Sequence, residues 1–249
     1  TININRATGA VTGTISGSGA AKLQIGTSTS AAPAAVSFTT SNSISNMPTI
    51  NLLTSGTALT SNHNITGVNT IFSLASGTSA TINQQLAGTG YIDNYGTLTF
   101  ASGSTFSSFS NVQMQSNSTL NLNNTATLPC TITGVNTTGN TVNIGVSSGV
   151  TITTNKTISN LNILELKGTS GNKLTTSSLI TNINNLNVLS PATLELQSDG
   201  SITNSGTLAV NGTLTMLGGS SMSSLSAVNI NADTSTVAGP ISSITNLSV

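Results

Sequence analysis

Charged side chains are scarce in this chain of 249 residues. It contains five Lys and Arg and five Asp and Glu, or 4% of the residues, whereas about 25% is usual for a globular protein. The net charge is zero and the bases are scattered. This excludes the basic footprint of a nucleic-acid-binding protein and the polybasic patch that holds an anionic membrane surface.

Several other residue types are rare. Aromatic residues make up 3% of the chain and Trp is absent. Cys130 is the single cysteine, which excludes an intrachain disulfide framework, and we expect its thiol to be a small buried apolar group. The chain contains no run of about 20 apolar residues, so the sequence predicts no transmembrane helix. Because the chain begins at Thr1 rather than Met, we expect a processed or excised segment.

Small polar residues dominate what is present. The chain has 44 Thr, 39 Ser and 31 Asn, with 24 Gly in addition. Disordered polar segments usually combine high net charge with few branched apolar residues, whereas Ile, Leu and Val recur throughout this chain. The composition therefore predicts an ordered chain with a distributed apolar core.

A nine-residue frame, with an apolar pattern at positions 1, 4, 7 and 9, repeats along the chain. From Ile158 onward its copies start 22, 22, 20 and 19 residues apart. Repeats of about twenty residues are typical of solenoids. The copies begin at Ile44, Ile92, Phe106, Ile158, Ile180, Ile202, Met222 and Ile241, with weaker copies at Ile65 and Ile132.

Position 3 of the frame is Asn, Gly or Ser in every copy. Asn and Gly tolerate a left-handed backbone, so this column predicts a bend. Positions 7 and 9 alternate with polar residues, which indicates a short strand with one buried face. The position-3 residues are Asn46, Gly67, Asn94, Ser108, Gly134, Asn160, Asn182, Asn204, Ser224 and Ser243.

Short strands separated by bends, repeated in this way, predict an all-β fold: a single parallel β-helix (β-solenoid) with rungs of about 19–26 residues and no significant helix. Strands about 4.8 Å apart place position 1 of each rung over position 1 of the next. Like charges stacked at that spacing repel, which explains the charge-poor composition. Residues 44–249 form the repetitive solenoid. Residues 1–43 are irregular N-terminal strands, serving as first rungs or as an arm that reaches another subunit.

Two segments carry a family resemblance. GYIDNYGTLTF (90–100) and GSITNSGTLAV (200–210) resemble the rungs of bacterial autotransporter passenger domains. The Asn- and Thr-rich, charge-poor composition is similar to that of the large cell-surface antigens of intracellular bacteria such as rickettsiae. The resemblance implies an exported β-helical stalk on a bacterial cell surface, and it carries over no catalytic residue.

No catalytic constellation emerges from the titratable residues. Polysaccharide-cleaving solenoids need clustered carboxylates, and here these groups fall at different frame positions. We interpret the sequence neighbours Glu195 and Asp199 as solvated surface, and His63 as a loop residue with no second metal-ligating residue nearby. We therefore predict no enzyme activity, no cofactor and no metal site. The five carboxylates are Asp93, Glu165, Glu195, Asp199 and Asp233.

Flat Thr-x-Thr arrays on solenoids can match ice, which makes ice binding a remote alternative beside a carbohydrate-active β-helix. The Thr pairs fall at different positions of the frame, so we expect them not to stack on consecutive rungs. The pairs are Thr97/Thr99, Thr131/Thr133, Thr151/Thr153 and Thr213/Thr215.

The favoured function is that of an extracellular structural protein at a bacterial cell surface. The last copy of the frame ends at Val249, and an uncovered rung invites another strand. We expect head-to-tail assembly of identical copies into a fibre. The alternative is an adhesin stalk that binds a host or surface receptor through loops at 25–43 and 75–91. The predicted assembly interface consists of Ile241, Ile244, Leu247 and Val249.

Overall fold

The computed structural model describes residues 1–5, 8–11, 13–26, 35–146, 149–168, 171–232 and 234–249. These residues form strands, bends and turns, and no helix occurs among them. The strands are β1 (Ile2–Ile4), β2 (Thr8–Val11), β3 (Ile15–Ser16), β4 (Lys22–Ile25), β5 (Ser37–Thr40), β6 (Ile44–Ser45), β7 (Thr49–Leu52), β8 (Ala58–Ser61), β9 (Ile71–Leu74), β10 (Ser79–Ile82), β11 (Gln85–Ala87), β12 (Tyr91–Asn94), β13 (Thr97–Phe100), β14 (Thr105–Ser107), β15 (Asn111–Met114), β16 (Thr119–Leu122), β17 (Ala126–Thr127), β18 (Thr131–Gly134), β19 (Thr141–Ile144), β20 (Thr151–Thr154), β21 (Ile158–Leu166), β22 (Lys173–Thr176), β23 (Leu179–Val188), β24 (Thr193–Leu196), β25 (Ser201–Val210), β26 (Thr213–Met216), β27 (Ser221–Ile230), β28 (Thr236–Val237) and β29 (Ile241–Ser248).

Parallel pairing stacks these strands into a β-solenoid of about 11 rungs, as predicted. The first face stacks β1, β4, β7, β9, β12, β15 and β18, and the second face stacks β2, β5, β8, β10, β13, β16 and β19. From β21 onward a single long strand in each rung runs through both faces and continues as β23, β25, β27 and β29. At about 4.8 Å per rung, the rod is roughly 50 Å long.

A third face closes the coil. It pairs β3 with β6 and β11 with β14, with Ile65 bridging the two pairs. Further along, β17, β20, β22, β24, β26 and β28 form a separate ladder. The rung lengths vary: Leu23 pairs with Ile50, 27 residues on, and Met222 pairs with Ile241, 19 residues on. The longest rung, in which Ile15 pairs with Ile44, 29 residues on, thus exceeds the predicted range by three residues.

One continuous apolar core runs along the axis of the rod. Most strands alternate a buried residue with a partly exposed one, so the inward residues of successive rungs stack directly. On the first face, Ile92 pairs with Phe72 on one side and Val112 on the other, and all three are fully buried. Burying each such side chain contributes about 1.5–3 kcal/mol, and a single rung has no other layer against which to bury it.

The predicted bends are confirmed at eight of the ten position-3 residues. Their backbones are left-handed, with φ of 51° at Asn46 and 53° at Asn182, for example. Asn94 and Gly134 are exceptions outside the left-handed region. They are the last residues of β12 and β18, after which a separate corner segment turns the chain. The eight are Asn46, Gly67, Ser108, Asn160, Asn182, Asn204, Ser224 and Ser243.

The repeat frame does not keep to one face. From Ile158 to Ile241 its first position stacks on the first face, as expected. Ile44 and Ile65, however, pair on the third face, and Phe106 pairs there with Leu86. The pattern encodes a strand, a one-residue bend and a second strand. This unit fits the corner between the third and first faces as well as the corner between the first and second faces, so the same nine-residue pattern occurs at both.

The described parts of both segments expected to form binding loops contain strands of the stack. Residues 75–91 contain β10 and β11, which pair with neighbouring rungs, so the prediction of a loop there was wrong. Residues 25–43 contain β5, while 27–34 lie outside the described residues. The described parts of 1–43 carry β1 to β5, which pair in the same faces as later strands.

Candidate functional site

The predicted assembly residues lie on or next to the last strand. Ile241, Ile244 and Leu247 of β29 pair with residues of β27. The first two pack partly buried against the core, whereas Leu247 is 55% exposed. Val249, 91% exposed, lies beyond the strand. Among the described residues no strand pairs with the other edge of β29.

The opposite end of the rod presents a comparable edge. Within the described ranges, β1 pairs only with β4 and β2 only with β5. Ile2 of β1 is 41% exposed. Both ends therefore carry parallel strand edges with free backbone groups and some exposed apolar side chains, which is the chemistry of strand addition.

The described carboxylates are dispersed over the rod. Asp93 lies on the first face in β12, Glu165 on the second in β21 and Glu195 on the third in β24. Asp199 is exposed in a turn, and Asp233 lies outside the described residues. In the part of the chain that the structure describes, no three His, Cys, Asp or Glu residues group together as metal ligands would.

Two of these carboxylates have a lysine partner. Lys173 Nζ lies 2.7 Å from Glu195 Oε2 on the neighbouring strand, and Lys167 pairs with Glu165. Glu165 also accepts a hydrogen bond from Asn187 Nδ2 at 3.3 Å. The pairs are partly exposed, so each contributes at most about 1 kcal/mol to the stability of the fold. Both carboxylates are thus neutralised by a lysine.

His63 and Cys130 differ in their exposure. His63 is exposed, and only its backbone carbonyl has a described bond, from the Ser61 hydroxyl at 2.7 Å. Cys130 is buried, as predicted. Burial raises the pKa of its thiol from 9.0 to about 12, against a smaller lowering effect of Lys156. The thiol therefore stays protonated near neutral pH and is a poor nucleophile.

As expected, no two of the four Thr pairs stack on consecutive rungs, although two of them lie on the same face, three rungs apart. Thr151 and Thr153 of β20 occupy the same two columns of the third face as Thr213 and Thr215 of β26. Between them, Lys173 interrupts one column and Glu195 the other. The columns read Thr151, Lys173, Thr193, Thr213 and Thr153, Thr175, Glu195, Thr215. A charged pair in the middle breaks the uniform hydroxyl array that ice matching requires.

A polar groove follows the corner between the first and second faces. It has a volume of about 420 Å³ and is lined mainly by amides, with Val135 at one end. Asn182 Nδ2 donates to Asn160 Oδ1 at 3.0 Å within it. The groove offers hydrogen bonds without charge, and no acid or base lines it. Its residues are Val135, Asn136, Thr137, Asn160, Asn182, Asn184 and Asn204.

Sequence reasoning missed a set of buried asparagines that close the corners. Asn172 Nδ2 donates to the carbonyls of Gly145 at 2.8 Å and Lys167 at 2.9 Å, and its Oδ1 accepts from the Val150 amide at 3.0 Å. Asn140 is fully buried in a similar role. Each follows a glycine and precedes an alternating strand, and this Gly-Asn signal is the one by which both could have been found.

The comparisons with known proteins add no relative. No family model, no curated protein and no solved structure matches the chain. The resemblance to autotransporter passengers therefore rests on the repeat pattern of the sequence alone. No helix in the described part of the chain is long and apolar enough to cross a membrane.

Proposed function

We propose that the protein is a non-catalytic, extracellular structural rod, the β-solenoid subunit of a cell-surface fibre that assembles head-to-tail. The observation that carries this proposal is the pair of strand edges at the two ends of the stack. Within the described residues β29 bonds only to β27, and β1 only to β4. A parallel ladder accepts strands of the same direction along its whole length, so the edge of β29 fits the β1 and β2 edges of a second copy.

Apolar contacts reinforce this edge-to-edge pairing. Leu247 is more than half exposed, and Ile241 and Ile244 are only partly buried. A further rung stacked on β29 covers all three side chains. Burying the Leu247 side chain alone contributes up to about 1.5–3 kcal/mol. Because such contacts join different surfaces of two identical copies, they propagate into an open filament.

The rest of the surface suits a rod exposed to a variable medium. It carries few charges, and its polar side chains bond along the stack, as Asn121 does with Thr99 at 3.1 Å. These contacts depend little on pH or salt. Together with the repeat pattern of exported bacterial passengers, this supports a location outside the cell, at a bacterial surface.

Substitutions at the end of the rod test the proposal. We expect the wild-type chain to form larger species with rising concentration in sedimentation velocity. Leu247→Asp or Ile241→Asp keeps the chain monomeric, because a buried carboxylate in the new interface is costly. Val146→Asp is the matched control, since Val146 is exposed in a corner between β19 and β20. It should assemble like the wild type, and circular dichroism should show the same fold in each variant.

The same strand edge is compatible with a segment of an adhesin stalk, in which later rungs of a longer chain cover β29. That stalk is the second candidate function. Monomeric wild-type rods at every concentration contradict the fibre and favour the stalk. Assembly that Leu247→Asp and Ile241→Asp leave unchanged contradicts the proposed interface.

A further inference from the structure

The aromatic residues divide sharply between the core and the surface. The chain has five Phe, two Tyr and no Trp. Tyr91 is 38% exposed and Tyr95 43% exposed, so both tyrosines, and no phenylalanine, present their rings to solvent. They lie four residues apart in one rung. The buried phenylalanines are Phe38, Phe72, Phe100, Phe106 and Phe109.

Tyr91 lies on the outer side of β12 and Tyr95 directly follows that strand, with Asp93 between them in the sequence. Ile92 and Asn94, the alternate residues, are fully buried, so Tyr91 and Asp93 point outward. The Tyr95 amide donates to the Leu74 carbonyl at 2.8 Å, which continues the strand pairing by one residue. The two Cα atoms are therefore about 13 Å apart along an extended backbone.

Amides and one aliphatic side chain complete this surface. Gln115 Nε2 donates to Asp93 Oδ1 at 2.7 Å, and Gln113 pairs beside Asp93 in the next rung. On the other side, Ile71 pairs beside Tyr91. We name Tyr91, Asp93, Tyr95, Gln113 and Gln115 the tyrosine platform. No Lys or Arg occurs in β9, β12 or β15.

We propose that the tyrosine platform binds neutral oligosaccharides. The apolar face of a pyranose ring packs on an exposed tyrosine ring, and phenol groups add hydrogen bonds. Asp93 Oδ2 has no hydrogen-bond partner among the described residues, so it is available to accept from sugar hydroxyls. The Gln113 and Gln115 amides supply both donors and acceptors. The spacing of the tyrosines leaves room for more than one sugar ring.

The charge of the platform selects the class of sugar. The platform carries one carboxylate, that of Asp93, and no Lys or Arg on the neighbouring strands balances it. A uronate or sialate carboxylate placed there meets a like charge and no basic partner. Neutral hydroxylated sugars avoid this repulsion and gain charge-assisted hydrogen bonds to Asp93. This binding role is independent of how the ends of the rod assemble.

The absence of Trp provides a direct probe. Intrinsic tyrosine emission comes only from Tyr91 and Tyr95, so it reports on the platform alone. The first step is to apply the tagged protein to an array of neutral and acidic oligosaccharides. The second is to titrate the protein with the best-retained neutral sugar while following tyrosine emission. We expect retention of neutral glycans and a saturable change in emission.

Variants establish that binding occurs at the platform. Tyr91→Ala and Tyr95→Ala should each weaken binding roughly tenfold, the loss of a good aromatic contact, and Asp93→Asn should weaken it as well. Leu217→Ala and Asp199→Asn, at exposed sites elsewhere, are the matched controls and should bind like the wild type. Melting temperature verifies folding of each variant. Retention of no neutral glycan, preference for acidic glycans, or unchanged binding by both tyrosine variants overturns the proposal.

Discussion

Asn143 lies directly beside Asn121 on the second face, and its Nδ2 donates to Asn121 Oδ1 at 2.9 Å. Asn121 in turn donates to Thr99 at 3.1 Å. Identical amides one rung apart satisfy each other because each has both a donor and an acceptor. Identical carboxylates at this spacing repel. This relationship accounts physically for a chain rich in Asn and Thr and poor in charge.

The first prediction places a second carboxylate in this ladder. Asn143 also pairs beside Glu165, so Asn143→Asp puts two like charges about 4.8 Å apart. We expect a loss of about 1 kcal/mol in the free energy of unfolding at neutral pH. Protonation of either carboxylate removes the like-charge repulsion, so the loss should shrink in acid.

The control for this variant is Asn51→Asp. Asn51 lies on the first face between Gln24 and Ser73, so the new charge meets no carboxylate. Thermal melts of both variants across a pH series make the comparison. Equal destabilisation of the two variants, or a loss that does not shrink in acid, contradicts the repulsion argument.

The second prediction concerns the bend column. Asn182 has a φ of 53°, where a β-branched side chain is strained. Asn182→Val should lower the free energy of unfolding by about 1–2 kcal/mol, whereas Asn182→Gly should lower it less. Asn94 is the comparison, because its backbone is not left-handed. Asn94→Gly should destabilise the fold, because it removes the buried side-chain amide that donates to the Thr119 carbonyl at 2.9 Å and relieves no backbone strain. Denaturant unfolding measures the stability of all three variants. If Asn182→Gly is less stable than Asn182→Val, the left-handed bend at this position is contradicted.

A third prediction addresses the buried asparagines. Asn172→Ala leaves the Gly145 carbonyl and the Val150 amide without the partners that Asn172 provides. We expect a loss of about 1–3 kcal/mol. Asn231→Ala is the control, because Asn231 is exposed and, among the described residues, its side-chain amide bonds to Asn211 alone, at 3.1 Å. We expect its loss to lie within about 0.5 kcal/mol. Equal stability of the two variants in chemical denaturation contradicts a structural role for Asn172.

The fourth prediction concerns the thiol. With the pKa of Cys130 raised to about 12 by burial, a thiol-specific chromogenic reagent should react slowly with the folded protein and fast after unfolding. The unfolded thiol ionises near pH 9 and the folded one does not, so the stability that Cys130 contributes is lost as pH rises from about 9 to about 12. Cys130→Ala should flatten this part of the stability profile. Rapid reaction with the native protein contradicts the burial.

Local patterns account for what the sequence predicted correctly. Alternation at Leu208 and Val210 marks a strand, and Asn204 marks its bend, because both depend only on neighbouring residues. The face occupied by a given copy was not predictable in this way. Ile44 and Ile158 begin equivalent patterns but lie on different faces, and which corner they occupy depends on how many residues precede them in the coil.

The sites were harder to predict than the fold. Asn172 is buried because carbonyls 5 and 27 residues away converge on it, a relationship that no local pattern encodes. The tyrosine platform depends on the register of β12 against β15, which brings Gln115 to Asp93. The assembly role of Ile241, Ile244, Leu247 and Val249 remains a prediction.

Electron cryomicroscopy of the native material at neutral pH tests the proposed fibre most directly. The account predicts uniform filaments with strands spaced about 4.8 Å along the axis and a subunit repeat of roughly 50 Å, the length of about 11 rungs. Dispersed rods of that length, with no end-to-end contact at any concentration, would contradict it.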